Sequence, residues 1–265
     1  MVASDLDGTL LRSDGTVDDR SRRALAAARD GGALLVICTA RPTRWLGPVA
    51  QAIGHRGLAV CANGGVVLDL RTESVLDTAA LEPAVLREVV DRLQHALPGG
   101  SWAVETADGF GHEPSYEPRW PVPEGTVVGA VETLIEQPVI KLLLRHRQLQ
   151  ADGLLERAGA VVGGLVELSH SNSADALLEI AARGVSKATA LAQLCEERGI
   201  DREAVVAFGD MPNDLAMLAW AGYAVAVANA HPDVLAAADE VTAGNDDAGV
   251  AQVLERLFAG AWPRE

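Results

Sequence analysis

The sequence predicts an α/β fold: a doubly wound, Rossmann-like parallel sheet forms the core, and an α+β domain is inserted into it. Only 4% of the residues are aromatic while Ala, Val, Leu and Gly are abundant, which suits strands buried on both faces. Apolar runs alternate with helical patterns at both ends of the chain, and the pattern changes between them. We therefore expect a core at 1–82 and 185–265 and an inserted domain at 83–184.

The first part of the core is predicted to alternate strands and helices. The apolar run at 2–4 predicts a first strand, and it is short for a central strand, which leaves open a native start upstream of Met1. Thr16, followed three residues later by Asp19, predicts the N-terminal cap of a helix that ends at Gly31-Gly32. The later elements expected here are strands at 33–38 and 58–61, a helix at 44–53, and a hairpin of 66–70 with 74–76.

The inserted segment predicts an antiparallel sheet with helices on one face. The alternation over 139–147 places Leu142 and Leu144 on one face and Lys141 and Arg145 on the other. The expected elements are helices at 84–97 and 150–158, strands at 139–147, 161–168 and 176–181, Pro/Gly breaks at 98–100 and a loop-rich stretch at 108–125.

The second part of the core returns to short buried strands between helices. Gly199 predicts the end of a helix that begins at 186. The expected elements are helices at 186–198, 212–221, 232–238 and 247–259 and strands at 204–208 and 224–228.

Charge and composition exclude several classes of function. The formal net charge is −15, which disfavours nucleic acid and anionic lipid as partners. No run of about 18 apolar residues occurs, so we expect no membrane span. Cys38, Cys61 and Cys195 lie in apolar runs without CxxC spacing, which is typical of buried thiols in a reducing compartment. We expect a cytoplasmic protein.

Polar residues follow the strands of the predicted core. Because ligands bind at the carboxyl ends of parallel strands, these residues are expected to share one crevice. They are Asp5 and Asp7, Thr39 and Arg41, Asn63, and Asp210, Asn213 and Asp214, with Lys187 joining from the first turn of a helix.

Such a crevice is suited to phosphoryl transfer. Carboxylates from Asp5 and Asp210 are ligands that Mg²⁺ prefers, and the metal and Lys187 together neutralise phosphate charge. Asp5 can then approach a phosphoryl group as a nucleophile. Asp7 can protonate the leaving alkoxide and later deprotonate the attacking water, and Thr39 can hydrogen-bond a phosphoryl oxygen.

Four segments in this order resemble the motifs of the haloacid dehalogenase superfamily, and in detail those of its Cof-like phosphatase branch. They are DLDGTL from Asp5, TAR from Thr39, GVSK ending at Lys187, and GDMPND from Gly209. That branch carries a large α+β cap of type IIB between the second and third motifs, and the gap from Arg41 to Lys187 fits it. The resemblance covers essentially the whole core and the position of the cap.

The resemblance also implies a role for each residue. It makes Asp5 the nucleophile and a Mg²⁺ ligand. It makes Asp7 the acid/base and a metal ligand through its backbone carbonyl, and it assigns phosphoryl binding to Thr39 and Lys187. Asp210 is implied as a metal ligand and Asp214 as a nearby or water-mediated one. Asn213 is implied to contact either the phosphate or the residues around the metal, and Arg41 and Asn63 to face the substrate.

The function expected from this resemblance is Mg²⁺-dependent hydrolysis of a small soluble phosphate monoester through an aspartyl-phosphate on Asp5. The substrate class is a sugar, polyol or cofactor-precursor phosphate, and the protein is a monomer or homodimer. Two alternatives stay open: a phosphomutase with the same nucleophile, and a regulator that binds a phosphorylated metabolite without turnover.

Overall fold

The computed structural model describes residues 1–54, 57–107, 109–171 and 175–258 of the 265-residue chain. The chain divides into two compact units. The first contains Met1–Asp77 and the residues from Lys187 onward, and the second is Thr78–Ser186. The predicted bounds of the inserted domain, 83 and 184, remain a prediction.

The first unit is built on an eight-stranded sheet. With strands numbered along the chain, its order is β14-β13-β12-β1-β2-β3-β4-β5. The strands are β1 (Val2–Ser4), β2 (Leu35–Cys38), β3 (Leu58–Cys61), β4 (Val66–Asp69), β5 (Ser74–Thr78), β12 (Val206–Gly209), β13 (Tyr223–Val227) and β14 (Glu240–Thr242). From β1 the chain adds β2 and β3 in parallel on one side, and β12, β13 and β14 continue the parallel sheet on the other. The predicted doubly wound α/β class is confirmed.

Helices precede or follow these parallel strands along the chain. They are α1 (Asp19–Asp30), α2 (Leu46–Ile53), α6 (Lys187–Arg198), α7 (Leu215–Trp220), α8 (Pro232–Ala237) and α9 (Gly249–Arg256). The last helix was predicted at 247–259 but begins at Gly249. Its predicted last residue, 259, lies outside the described residues.

The predicted cap of α1 is wrong. The side chain of Asp18 caps the helix by accepting the backbone N–H of Ser21 at 2.9 Å. Thr16 lies before it and donates its own N–H to Asp14 at 2.9 Å. Asp and Thr are both good capping residues, and the chain uses the acid two residues further on.

The second unit contains a six-stranded sheet with the order β10-β11-β9-β6-β7-β8. The strands are β6 (Gly100–Glu105), β7 (Phe110–His112), β8 (Val127–Val128), β9 (Lys141–His146), β10 (Val166–Ser169) and β11 (Leu177–Ala182), and the helices are α3 (Pro83–Ala96), α4 (Val131–Leu134) and α5 (Ala151–Val162). All strand pairs are antiparallel except β7 with β8. Leu142 and Leu144 pack with Leu93 and Leu154 in one apolar core, while Leu143 belongs to a separate cluster, as the alternation along β9 predicts.

Several elements of this unit differ from the prediction. Strand β7 lies within the stretch expected to be loop-rich, and β8 and α4 were not expected. Strand β6 begins at Gly100, inside the segment that was interpreted as a break, and it pairs with β9 in the middle of the sheet. The strand predicted at 161–168 begins only at Val166, because Val162 still belongs to α5. In the described part of the chain, no helix has the length and apolar character needed to cross a membrane.

Candidate active site

The predicted site residues gather where adjacent parallel strands end. β1 lies between β2 and β12, and the direction of winding changes there, so a crevice opens at the carboxyl ends of these strands. Hydrogen bonds join the residues into two networks. The first contains Asp5, Lys187, Asp210 and Asp214, and the second contains Asp7, Arg41, Thr39, Asn63 and Asn213.

Lys187 forms the centre of the first network. Its Nζ donates to Oδ1 of Asp5 and to Oδ1 of Asp214, each at 2.6 Å. The side chains of Lys187 and Asp214 are fully buried. Burial alone would lower the pKa of the ammonium, but the two carboxylates outweigh burial and raise the pKa of Lys187 above its usual value. A buried cation is therefore fixed beside Asp5, directly after β1.

Asp214 also organises the loop after β12. Its Oδ2 accepts the backbone N–H groups of Asp210 at 3.0 Å and Met211 at 3.1 Å. A Cβ on Gly209 would lie 2.6 Å from Asp214 Cβ, so the close approach needs glycine at this position. Both oxygens of Asp214 are thus engaged within the protein, one by Lys187 and one by the loop.

Asp210 is held by the loop that follows β1. Its Oδ1 accepts the hydroxyl of Thr9 at 2.6 Å, and Thr9 is buried. Gly8 has a φ of +84°, and a Cβ there would collide with the Asp210 carboxylate. Thr9 belongs to the first motif, but the sequence interpretation gave it no role. Its place in the motif, two positions after Asp7, and its hydroxyl group are the sequence features that could have indicated this contact.

The three buried acids carry more negative charge than the protein compensates. Carboxylate oxygens of Asp5, Asp210 and Asp214 all lie within 4.8 Å of one another. Among the described residues, Lys187 is the one cation bonded to them, so two negative charges would be uncompensated if all three acids were ionised. Burial raises the pKa of Asp5 well above its usual value, with Lys187 opposing the shift and Asp214 and Asp210 adding to it. Burial and then Asp214 raise the pKa of Asp210 to about 7.

This donor set fits a divalent metal ion. Hard cations prefer carboxylate oxygens, and such an ion would remove the charge excess that raises these pKa values. Asp5 and Asp210 are the acids best placed to bind it directly, because both oxygens of Asp214 are already hydrogen-bonded.

Asp7 has a different environment from Asp5. Arg41 binds it in a bidentate pair, with Nε to Oδ2 at 2.7 Å and Nη2 to Oδ1 at 2.5 Å. The Asp7 side chain is 52% exposed, whereas that of Asp5 is 8% exposed. The two acids of the first motif therefore differ in access to water. Arg41, for which the sequence predicted a substrate contact, is bonded to Asp7 in the structure.

Thr39, Asn63 and Asn213 form the remaining side of the crevice. Thr39 is fully buried, and its Oγ1 accepts the N–H of Arg41 at 3.1 Å. Asn63 has a left-handed φ of 58°, donates its N–H to the Thr39 carbonyl at 3.1 Å, and accepts the Asn213 amide at 3.0 Å. The side-chain oxygen of Asn213, Oδ1, is buried and has no hydrogen-bond partner among the described residues. A buried polar atom without a partner is costly, so a ligand that bonds to it would be stabilising.

Comparisons with known proteins agree with this geometry. The sequence profile of haloacid dehalogenase-like hydrolases matches residues 2–254. The pyridoxal phosphate phosphatase YbhA of Escherichia coli (strain K12) is 31% identical over 96% of this chain and 97% of its own length. The 5-amino-6-(5-phospho-D-ribitylamino)uracil phosphatase YcsE of Bacillus subtilis (strain 168) is 27% identical, over 96% and 94%. The solved structure of the HAD subclass IIB sugar phosphatase BT4131 has a similar fold, with a TM-score of 0.80 and 21% identity over 97% of this chain and 98% of that one.

Proposed function

The chain belongs to the haloacid dehalogenase-like hydrolase family, and on this premise we propose that it is a Mg²⁺-dependent phosphatase that acts on small phosphate monoesters through an aspartyl-phosphate on Asp5. Membership confirms the resemblance to the Cof-like branch that the motifs carried. It also confirms, with the phosphatases among the relatives, the predicted enzyme class of phosphoric monoester hydrolase. The metal, the nucleophile and the substrate class are the parts that we propose.

The observation that carries the proposal is the contact between Lys187 and Asp5. Burial raises the pKa of Asp5, and the Lys187 ammonium 2.6 Å from the carboxylate opposes that shift by favouring the ionised form that a nucleophile needs. The same buried cation can also reduce the charge on an approaching phosphoryl group. Lys187 thus allows the Asp5 carboxylate to approach a phosphoryl group that is also negatively charged.

We propose that the reaction has two in-line steps. A carboxylate oxygen of Asp5 attacks phosphorus, the bond from phosphorus to the ester oxygen breaks, and the leaving oxygen takes a proton from Asp7. Asp7 then removes a proton from water, which attacks the same phosphorus and releases inorganic phosphate and the Asp5 carboxylate. The exposure of Asp7 supports this role, since an acid/base group must reach both leaving group and water. Both of its oxygens accept hydrogen bonds from Arg41, so Arg41 must release one of them before Asp7 can carry the proton.

Asp5 and Asp210 would hold the Mg²⁺ ion, together with the main-chain carbonyl of Asp7 that the family resemblance implies, and Asp214 would act nearby or through water. When bound, the ion supplies positive charge next to the transferring phosphoryl group. Thr9 supports this arrangement because its hydroxyl donates a hydrogen bond to Asp210 Oδ1 at 2.6 Å and so orients that carboxylate.

Thr39 and Asn213 are proposed to contact the phosphoryl oxygens. The hydroxyl oxygen of Thr39 accepts the N–H of Arg41, so its proton remains to be donated. The unpartnered amide atom of Asn213 is supporting evidence, because an amide can present its donor there by rotating half a turn. If the Asn63 amide turned with it, the hydrogen bond between the two side chains would be kept with donor and acceptor exchanged, and Asn213 would donate to phosphate.

The proposed substrate is a sugar, polyol or cofactor-precursor phosphate. The names of the two phosphatase relatives support this class, since both compounds are small phosphate monoesters. We further propose that the protein acts in the cytoplasm as a monomer or homodimer. The free, buried Cys38, Cys61 and Cys195 agree with a reducing compartment.

A panel of small phosphate esters tests this function. Phosphate release would be measured with Mg²⁺ and with chelator, for the wild type and for Asp5→Asn. Metal-dependent turnover that Asp5→Asn abolishes supports the proposal and ranks the substrates. No phosphate release from any ester, with isomerisation of a sugar phosphate once a sugar bisphosphate is added, would indicate the phosphomutase. Binding of esters without either reaction would indicate a regulator.

A further inference from the structure

The loop that carries Asp7 and Thr9 is held by two asparagines from the opposite end of the chain. Asn229 Nδ2 donates to the carbonyl of Gly8 at 2.8 Å, and Asn245 Nδ2 donates to the carbonyl of Leu11 at 2.9 Å. The two asparagines are joined, because the Asn245 N–H donates to Asn229 Oδ1 at 2.9 Å. We call these three hydrogen bonds the Asn229–Asn245 link.

The carbonyl groups of Gly8 and Leu11 receive their hydrogen bonds from this link. The loop's own N–H groups turn inwards, and those of Leu10 and Leu11 both donate to the Leu6 carbonyl, at 3.1 Å and 2.8 Å. The carbonyls of Gly8 and Leu11 point away and are bound by the two amide groups. Asn245 is buried, so the Leu11 carbonyl would lose its partner if that amide were removed.

The geometry requires an amide side chain at position 229 and a hydrogen-bond donor at position 245. A carbonyl only accepts hydrogen bonds and a backbone N–H only donates them, so Asn229 must present a donor to Gly8 and an acceptor to Asn245. Aspartate has nearly the same shape but cannot donate, and it would place a negative oxygen against a carbonyl.

The loop after β13, which carries Asn229, also contacts the loop that carries Asp210. The backbone N–H of His231 donates to the carbonyl of Asp210 at 2.8 Å, only two residues after Asn229. The loop after β13 thus touches both the loop of Asp7 and the loop of Asp210. The Thr9 hydroxyl closes this arrangement from the other side by its bond to Asp210.

We propose that Asn229 and Asn245 are positioning residues for the proposed phosphatase reaction: they fix the loop of Asp7 and Thr9 in register with Asp210. They touch neither the phosphoryl group nor the metal ligands through their side chains. Their effect passes through the backbone of Gly8–Leu11. This inference rests on the proposed function for its kinetic consequence, but the structural part stands independently.

The first test measures the loop itself. Hydrogen exchange of the Leu10 and Leu11 amides would be compared in wild type, Asn229→Ala, Asn245→Ala and Asp246→Ala. Asp246 is the matched control, since it lies in the same short turn as Asn245 but binds Ser13, beyond the loop. We expect faster exchange in both asparagine variants and not in the control. Asn229→Ala keeps the test decisive if Asn245→Ala does not fold, because Asn229 is exposed.

The second test measures kinetics on two substrates. A misplaced acid/base group should lower kcat by about 10- to 100-fold, with KM within about threefold. The loss should be larger for an alkyl phosphate than for nitrophenyl phosphate, because the poorer leaving group needs the proton of Asp7 more. A change in stability alone would lower both rates by the same factor.

The outcomes separate this inference from the proposed function. Wild-type exchange rates at Leu10 and Leu11 in both asparagine variants would overturn the inference, as would an unchanged substrate ratio in an active enzyme. Faster exchange in those variants together with a wild type that hydrolyses no ester would support the link between the loops and reject the phosphatase.

Discussion

Removal of the Lys187 ammonium tests the buried ionic network directly. Lys187→Met keeps most of the side-chain volume but leaves Asp5 and Asp214 without the cation that lies 2.6 Å from each. Both acids are buried, so water cannot replace the lost partner. Three neighbouring carboxyl groups would then carry no compensating charge within the protein.

The expected loss can be estimated from the geometry. Breaking a fully buried ion pair costs about 3–5 kcal/mol, and we take about 3 kcal/mol because the raised pKa values of Asp5 and Asp210 allow a proton to relieve part of the charge. For a unit of this size, a loss of about 3 kcal/mol corresponds to a fall of roughly 6–12 °C in Tm.

Thermal unfolding in chelator is the assay, and the chain supplies its own control. Its only other lysine is Lys141, also buried, whose Nζ lies 3.3 Å from Glu179 in the second unit. In Lys187→Met, added Mg²⁺ should raise Tm, because binding to the folded state alone stabilises it. Lys141→Met should leave the response to Mg²⁺ as in the wild type. A Tm for Lys187→Met in chelator within about 2 °C of the wild type would refute the reasoning.

Three further predictions concern the first loop and the first helix. Asp7→Asn should slow hydrolysis of an alkyl phosphate more than that of nitrophenyl phosphate, measured as the ratio of their kcat values; equal losses would argue against the acid role. Gly8→Ala should cost about 1–2 kcal/mol for its left-handed φ, plus a further loss from collision with Asp210, in denaturant unfolding. Gly15→Ala, with a φ of +79° and open space around its Cβ, gives the conformational cost alone, and equal losses would show that the collision does not matter. Asp18→Ala should cost about 1 kcal/mol at neutral pH as a lost helix cap. Burial would raise the pKa of Asp18, but hydrogen bonds from Ser21 outweigh it and hold that pKa below its usual value. The stabilisation by the Asp18 cap is therefore present above the usual carboxyl pKa and is lost as pH falls through the lowered pKa. Unfolding curves at about pH 7 and pH 3 should show a smaller difference in stability between wild type and Asp18→Ala at the lower pH.

The sequence predicted the core fold well because its signals are local. Apolar runs of the right length marked strands β2, β3 and β13, and glycines marked the helix ends. The order of polar residues after those strands then implied one crevice, since parallel strands end at one edge. The structure places all nine predicted site residues in the two networks described above.

The second unit was harder to predict because its signals conflict. The residues Pro98, Gly99 and Gly100 are typical breakers, yet β6 begins at Gly100 because it pairs with β9. Val161 and Val162 favour a strand by propensity, but they complete α5, where Val162 is buried in the apolar core. Tertiary contacts decided both cases.

Contacts between distant residues could not be predicted from the sequence. The pairing of Arg41 with Asp7 and of Asn63 with Asn213 depends on where loops meet in space. Neither Asn229 nor Asn245 lies in a motif that the sequence interpretation used, and each binds a carbonyl more than 200 residues away, at Gly8 and Leu11.

The central claim is that Asp5 carries the phosphoryl group during turnover. The most direct measurement is to acid-quench Asp7→Asn during reaction with nitrophenyl phosphate, digest it, and locate any phosphoryl group by mass spectrometry. Nitrophenolate leaves without a proton, while water attack lacks its base, so the intermediate should accumulate. We predict a phosphoryl group on Asp5 that is absent when Asp5→Asn is added. A phosphoryl group on any other residue, or full turnover by Asp5→Asn alone, would contradict the account.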